Sequence, residues 1–130
     1  MDSLTLFEGE ELRSGMYAVA ARKKVAGNDT LTVTEFTLAP GEEVPPHFHT
    51  DGNDIFYCLE GEVNVQSIDS ETGEVQRELI LRVGQAAKVE PPTVHRTYNP
   101  HPARCRFLLI QQFGHRDFIR FDRSATKHAR

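Results

Sequence analysis

Short runs in which hydrophobic and polar residues alternate recur along the chain, and stretches with helical periodicity are nearly absent. The clearest run, TLTVTEFTLA at residues 30–39, ends at a Pro-Gly turn. Alternation of this kind places successive side chains on opposite faces of a β-strand. The same pattern, interrupted by glycine, proline and polar turns, predicts further strands at residues 17–22, 54–59, 62–68, 75–83, 86–89, 95–98 and 105–113.

Many short strands with a turn signal every ~8–12 residues predict an all-β fold, an antiparallel sandwich or small barrel. The Glu60-Gly61 connection between two of the strands is a short hairpin in which the glycine can adopt a positive φ. With 130 residues the chain has the size of one domain, and a chain of that size can bury about two-thirds of its unfolded surface.

Composition narrows the class of protein. The chain is 38% hydrophobic and 26% charged, which is typical of a globular protein. A net charge of −4 leaves no basic surface for a nucleic-acid backbone, and no apolar run approaches the ~18 residues of a membrane span. Cys58 and Cys105 fit no zinc or redox spacing, so we expect reduced core thiols. The N-terminal segment lacks the regions of a secretory signal, and we expect a cytoplasmic protein.

Charge is distributed unevenly along the chain. Residues 114–130 contain five Lys/Arg and two Asp/Glu, a local charge of +3, so residues 1–113 carry −7 of the total of −4. We therefore divide the chain into a barrel with N-terminal strands at 1–113 and a basic C-terminal tail at 114–130. The large apolar residues of the tail are Phe118, Ile119 and Phe121. The tail is either a frayed surface segment or is docked, on its own barrel or on that of a partner.

The candidate chemistry lies in two blocks, GEEVPPHFHTDGNDIFYCLEG at residues 41–61 and GQAAKVEPPTVHRTYN at residues 84–99. His47 and His49 are separated by one residue, so on a strand their imidazoles share a face. Asp54 begins the next predicted strand after a polar turn, and His95 comes from the second block. A closed barrel can bring all four side chains to one point in its interior.

Three imidazoles and one carboxylate form a ligand set for a divalent transition metal. Neutral imidazole suits zinc, iron, copper and nickel, and an added carboxylate oxygen favours iron(II) or manganese(II). Four protein ligands leave one or two positions open on a five- or six-coordinate metal, as catalysis requires. We therefore predict a metal cofactor, with Fe(II) favoured and Mn, Ni or Zn as alternatives.

The first block resembles the first motif of the cupin family, in which a glycine, a His-x-His pair, a glutamate and a second glycine follow at fixed spacing. Gly41, His47, His49 and Gly61 stand in register with that motif, and Asp54 stands where the family has glutamate. Aspartate is one methylene shorter, so its oxygen falls short by roughly 1.5 Å unless the backbone moves. Three roles stay open for Asp54: direct ligand, ligand through water, or base beside a three-histidine metal.

The second block resembles the second cupin motif. Gly84, His95 and Asn99 match it, with Glu90 in place of the proline and Pro92 in place of the glycine of the family pattern. The resemblance implies a double-stranded β-helix, the jelly-roll barrel of cupins. It also implies a small-molecule substrate, a homodimer and, as metal ligands, His47, His49, Asp54 and His95.

Residues that share a face with the ligands are candidates for a substrate pocket. Phe56 and Cys58 follow Asp54 at alternate positions of the same strand, so they share its face. They either pack in the core or line a pocket beside the metal. On the last strand, Arg106 or Gln112 would fix an anionic or polar substrate group if it points inward.

The opposite parity of the strand at residues 54–59 places Ile55, Tyr57 and Leu59 on the outer face, where they form a candidate dimer contact. We also consider the apolar residues of the tail as part of such a contact.

Cupins host many functions, so the fold does not fix the reaction. Three hypotheses follow from the predicted site: a non-haem metal-dependent dioxygenase, a metal-dependent isomerase, epimerase or lyase acting on a small sugar or keto acid, and a non-catalytic binding protein. We favour the dioxygenase, because the two blocks offer no obvious second general base. No residue beyond the ligands is assigned a catalytic role.

Overall fold

A computed structural model of the chain describes residues 3–13, 16–112 and 117–122. Within these residues the chain forms strands and no helix, so no described segment is a helix able to cross a membrane. The strands are β1 (Glu10–Glu11), β2 (Ala21–Gly27), β3 (Leu31–Leu38), β4 (Glu43–Phe48), β5 (Asn53–Glu60), β6 (Glu62–Ile68), β7 (Val75–Arg82), β8 (Ala86–Val89), β9 (Val94–Tyr98), β10 (Cys105–Gln112) and β11 (Ile119–Arg120).

The strands form two antiparallel sheets. Sheet A has the order β1-β2-β3-β10-β5-β8, and sheet B has the order β11-β4-β9-β6-β7. From β3 to β6 and from β7 to β11, each strand lies in the sheet opposite to that of the strand before it. This alternation wraps the two sheets around one interior and confirms the predicted double-stranded β-helix.

The first predicted strand, at residues 17–22, is wrong in its bounds. Strand β2 begins at Ala21 and ends at Gly27. It pairs with β3 along this length, and a tight turn after Gly27 connects the two strands. The side-chain oxygen of Asn28 accepts a hydrogen bond from the backbone N–H of Thr30 (2.9 Å) in that turn. Pairing with β3 therefore decides where β2 lies, and the alternation of residues 17–22 alone does not.

The core fills the space between the sheets and is built from alternate positions of both. Phe36 of β3 and Phe107 of β10 stack with their ring centroids 5.2 Å apart. Each such fully buried side chain contributes about 1.5–3 kcal/mol by removal of apolar surface from water. The buried cluster consists of Phe36, Leu38, Val44, Phe56, Cys58, Val63, Val65, Leu81, Cys105 and Phe107.

Gly61 connects β5 of sheet A to β6 of sheet B. Its φ is +69°, and a Cβ atom at this position would lie 2.6 Å from the carbonyl oxygen of Arg104. Both the left-handed backbone and the close approach require glycine. The predicted positive φ at Gly61 is confirmed, but the predicted hairpin is wrong, because β5 pairs with β10 and β8 and β6 pairs with β7 and β9, so the turn passes from one sheet to the other.

The described part of the tail, residues 117–122, is docked on the barrel of its own chain. Strand β11 pairs with β4, with Ile119 opposite Phe48, and the N–H of Phe121 donates to the carbonyl of Pro46 (3.0 Å). Of the two expectations for the tail, the docked one therefore holds for this segment. The predicted boundary between residues 113 and 114, and residues 123–130, lie outside the described residues.

Candidate metal centre

Four polar side chains from three strands meet in the interior of the barrel. His47 belongs to β4 and His49 follows the end of that strand, Asp54 belongs to β5, and His95 belongs to β9. The pairing of β4 with β9 sets His47 directly opposite His95. Their relative exposures are 4%, 7%, 3% and 1% in the order of the sequence, and one potential ligand atom from each lies within 4.8 Å of the others.

Each imidazole is oriented by a hydrogen bond to a backbone carbonyl. The Nδ1 atom of His47 lies 2.8 Å from the oxygen of Pro45, and that of His95 lies 2.9 Å from the oxygen of Thr93. The Nδ1 atom of His49 makes the same contact with the carbonyl of Asp117. A carbonyl oxygen only accepts, so Nδ1 carries the proton and Nε2 of each neutral ring keeps a free lone pair. Histidine ligands of metals are held in this way.

The lone pairs of these Nε2 atoms and of the Asp54 carboxylate point into the same region of the barrel interior. The Oδ2 atom of Asp54 lies 2.9 Å from Nε2 of His49 and 3.3 Å from Nε2 of His95. Although these distances are short, all three atoms are buried without a hydrogen-bond partner, because Nε2 of a ring protonated at Nδ1 and a carboxylate oxygen are both acceptors. Leaving buried polar atoms unsatisfied costs about 1–3 kcal/mol each. A cation between them would satisfy all three, so the residues present fit a divalent metal.

The electrostatics of the cluster also favour a cation. Burial, together with the neighbouring His95, lowers the pKa of His47 to about 3, so this ring is neutral. Burial lowers the pKa of His49 as well, but the adjacent Asp54 carboxylate outweighs that effect and the pKa is raised overall. Burial acts to raise the pKa of Asp54, yet its contacts with His49 and His95 hold it below its ordinary value. The carboxylate thus stays ionised and stabilises a proton or metal cation beside it.

The C-terminal segment completes the surroundings of the cluster. The ring of Phe118 stacks on that of His47, with centroids 4.1 Å apart. Besides the Asp117 carbonyl at His49, the Asp117 carboxylate accepts hydrogen bonds from the N–H (3.1 Å) and the hydroxyl (2.6 Å) of Thr50. Sequence reasoning missed both roles, and its only signal was the clustering of apolar residues in the tail.

A cavity of about 280 Å³ adjoins the cluster. Its wall is mainly apolar and rich in aromatic rings. The lining residues are Leu12, Met16, Tyr17, Arg22, Thr32, Thr34, Phe36, Val44, His47, His49, Asp54, Phe56, Thr97, Phe107, Leu109, Gln111, Asp117 and Phe118. Of the residues proposed from sequence to line a pocket, Phe56 is in this wall, whereas Cys58, Arg106 and Gln112 are not.

The three exceptions have physical reasons. Arg106 pairs with Glu35 (2.8 Å) and Glu60 (3.3 Å), which places its guanidinium away from the cavity. The inward parity of β10 is that of Phe107 and Leu109, so Gln111 reaches the cavity in place of Gln112.

Cys58 has the inward parity but lies too far along β5. Its Sγ atom is 3.4 Å from the carbonyl oxygen of Gly61, at the turn that connects β5 to β6. It therefore packs in the core away from the cavity.

Four lining residues come from the segment before β3, to which the sequence analysis gave no site role: Leu12, Met16, Tyr17 and Arg22. Arg22 of β2 lies in the cavity wall and its Nη1 donates to the hydroxyl of Tyr17 (2.9 Å). The ring of Tyr17 in turn stacks on that of Phe118, with centroids 5.6 Å apart. Segments near both ends of the chain thus form part of the cavity wall.

Comparison with known proteins decides the family. The family model described as "Cupin domain" matches residues 34–111, more than half of the chain. This protein is a cupin. The matched region contains all four residues of the cluster, and it confirms the family that the two sequence blocks resemble. No curated protein sequence matches this cupin.

Solved structures with similar folds include several cupin-like proteins. The polyketide cyclase RemF from Streptomyces resistomycificus is 22% identical, with a TM-score of 0.71 over 94% of this chain and 86% of its own. An uncharacterised protein with a double-stranded β-helix domain from Klebsiella pneumoniae is 22% identical, with a TM-score of 0.68 over 85% and 90%. An oxalate oxidase is 16% identical, with a TM-score of 0.61 over 70% of this chain and 46% of its own. At these identities the likeness establishes the fold alone.

Proposed function

We propose that this cupin is a metal-dependent dioxygenase acting on a small organic substrate, with Fe(II) as the favoured metal held by His47, His49, Asp54 and His95. One observation carries the proposal: three buried lone-pair atoms without hydrogen-bond partners converge beside a largely apolar cavity. A bound metal supplies open coordination positions at which substrate and dioxygen can meet. Aromatic rings line the cavity beside that point, among them those of Phe36, Phe56, Phe107 and Phe118.

The rest of the cavity wall favours redox chemistry over proton transfer. Outside the cluster, the ionisable side chains among the described lining residues are Tyr17, Arg22 and Asp117. The carboxylate of Asp117 is engaged by Thr50, and an arginine is not a general base. An isomerase or lyase needs a group that moves protons at the substrate. The similarity in fold to an oxalate oxidase is consistent with the dioxygenase proposal.

The second candidate is a non-redox enzyme in which the metal polarises a carbonyl, such as an isomerase, epimerase or lyase. Two observations support it. The polyketide cyclase RemF is similar in fold over 94% of this chain. The Tyr17 hydroxyl accepts a hydrogen bond from Arg22 in the cavity wall, where it could donate a proton to a substrate.

Elemental analysis and dioxygen uptake separate these candidates. Protein purified without added metal is analysed for iron, manganese, nickel and zinc, and then mixed with a panel of diketones, thiols and phenolics. Stoichiometric iron with substrate-dependent dioxygen uptake supports the dioxygenase. Anaerobic turnover with zinc or nickel supports the second candidate. Metal without turnover of any substrate indicates a binding protein, the third hypothesis. The His47→Ala/His49→Ala variant is the matched control for each activity.

We further propose that the protein forms a homodimer through the outer face of sheet A. Ile55 pairs with Ile110 and Tyr57 with Leu108 on this face, and Tyr57 is 39% exposed. Burial of such side chains at ~1.5–3 kcal/mol each offsets an association cost of several kcal/mol. Phe118 faces the metal cluster, so the tail contributes less to this contact than its sequence suggests. Sedimentation should give a dimer that Tyr57→Lys weakens, and a monomeric wild type at tens of micromolar would contradict it.

A cytoplasmic location stays part of the proposal. The thiols of Cys58 and Cys105 are both free and buried, which suits a reducing compartment.

A further inference from the structure

Arg22 belongs to the inner face of sheet A. In the pairing of β2 with β3, Arg22 lies directly opposite Phe36. Directly opposed residues of antiparallel strands point to the same face of the sheet. Phe36 is 3% exposed and lines the cavity beside the metal cluster, as Arg22 does. A guanidinium group is thus built into the wall of a mainly apolar cavity.

This guanidinium differs from four others in the described part of the chain. Arg82, Arg96, Arg104 and Arg106 each form an ion pair with a glutamate. Among the described residues, no carboxylate forms an ion pair with Arg22. Its Nη1 donates to the Tyr17 hydroxyl (2.9 Å), its Cζ lies 5.6 Å from the centroid of that ring, and its Nε is buried without a partner.

The unsatisfied polar atoms of the described residues are concentrated around one cavity. Five side chains have such atoms, and three of them are the cluster members His49, Asp54 and His95. The other two are Arg22 and Thr32, and both line the cavity. A cation would satisfy the three acceptor atoms of the cluster, but it leaves the Arg22 Nε–H without a partner, and a buried unpaired donor is costly unless a ligand satisfies it. A positive charge without an acidic partner selects an anionic ligand.

We propose that Arg22 binds a carboxylate group of the substrate, so that the substrate is a small carboxylic acid with an apolar or aromatic body. The Nε–H lies on the edge of the guanidinium that, together with Nη2, forms the fork that binds both oxygens of a carboxylate. The Tyr17 hydroxyl holds the group from its other side. A cavity of about 280 Å³ exceeds the ~150 Å³ that accommodates benzene. This inference rests on the proposed function only in assigning the opposite end of the substrate to the metal cluster.

Binding of benzoate and of its neutral analogue benzamide tests the proposal. Both are titrated by NMR into wild type, Arg22→Gln and Arg22→Lys, each in metal-free and metal-loaded form. Arg104→Gln is the matched control, because it removes the same charge from an exposed position outside the cavity. The metal-free form removes direct binding of the carboxylate to the metal from the comparison.

We expect metal-free wild type and Arg104→Gln to bind benzoate at least about tenfold more tightly than benzamide, the usual effect of a charge-assisted hydrogen bond. Arg22→Gln should abolish the difference, and Arg22→Lys should retain part of it because the charge stays and the fork is lost. An equal affinity in wild type, or an unchanged preference in Arg22→Gln, would overturn the proposal. A preference seen only with metal would assign it to the metal and overturn it too. Failure of dioxygen uptake with the preference intact would remove the dioxygenase and leave Arg22 as the carboxylate site.

Discussion

Asp54 and Cys58 lie four residues apart on the inner face of the same strand, and both are almost fully buried. Their surroundings differ. Asp54 is in contact with two histidines and has a buried oxygen without a hydrogen-bond partner, whereas the Cys58 thiol lies near the carbonyl oxygen of Gly61 inside the core. The barrel interior thus has a packed end and an open end. Position along the barrel decides whether an inward residue serves stability or chemistry.

The cysteine side chains of the packed end are unreactive. Burial raises the pKa of Cys58, and it raises that of Cys105 to about 12, so neither thiol is a nucleophile at neutral pH. At the open end, the cluster and Arg22 keep polar atoms that no described residue satisfies. Such atoms reduce stability and are retained where a ligand binds. Substitutions at the two ends should therefore have separable effects.

The largest effect is expected for His47→Ala/His49→Ala. Removing two ligands should lower metal affinity by more than about 10⁴-fold. Loss of one residue that only hydrogen-bonds to a metal ligand already costs ~10–100-fold. The fold should persist, because apolar burial at the packed end supplies its stability. Elemental analysis and circular dichroism measure the two properties. Global unfolding of this variant would mean that the metal site is structural and that the two ends are not separable.

Leu38→Ala should give the converse result. Leu38 is fully buried in the core cluster and is not among the residues lining the cavity. Truncation of a buried leucine costs about 2–5 kcal/mol of unfolding free energy. Denaturant unfolding should report this loss, and the metal content of the folded fraction should be unchanged. A proportional loss of metal would show that packing and site geometry are coupled.

Substitution of Asp54 in two directions defines its role. If Asp54 ligates the metal, Asp54→Ala should weaken metal affinity by about 100-fold, since loss of a residue that merely hydrogen-bonds to a metal ligand already costs ~10–100-fold. Asp54→Glu should then keep or improve affinity by restoring the longer reach of the cupin motif. If Asp54 is a base, Asp54→Ala should spare the metal and remove activity. Normal metal content with normal turnover would refute both roles.

Metal affinity should fall on acidification, and His49 should take up a proton at a higher pH than His47. A proton on Nε2 of His49 competes with the metal, and because the Asp54 carboxylate raises the pKa of His49, this competition begins at a higher pH than for a free imidazole. His47, with a pKa of about 3, stays neutral and takes up no proton over this range. Below the pKa of His49, affinity should decrease about tenfold per pH unit. Calorimetric titration in buffers of different ionisation enthalpy counts the protons, and a pH-independent affinity would contradict the assignment.

Local alternation predicted an all-β sandwich or barrel, and the resemblance to the two cupin motifs implied the double-stranded β-helix and the four residues of the cluster. Alternation predicts β-strands, the single residue between His47 and His49 gives them one face, and the turn at Gly61 needs a positive φ. Alternation, side-chain face and turn geometry depend on residues close in sequence, and the tertiary structure retains them. Strand β10 shows where prediction from the sequence ends. The sequence defines two sets of alternate residues, but only the pairing of β10 with β3 and β5 decides that Gln111 faces inward.

Tertiary structure alone decided what surrounds the cluster. His49 and Asp117 are 68 residues apart in sequence, and their hydrogen bond exists only because β11 docks on β4. Arg22 reaches the cavity because β2 pairs with β3 in the register that sets it opposite Phe36. The side-chain alternation of a strand fixes its two faces and not which of them is buried, because burial depends on the partner strand and the opposite sheet. The candidate ligands could therefore be predicted from motif spacing, whereas the residues that orient them and the arginine proposed to bind a substrate depend on contacts between distant segments.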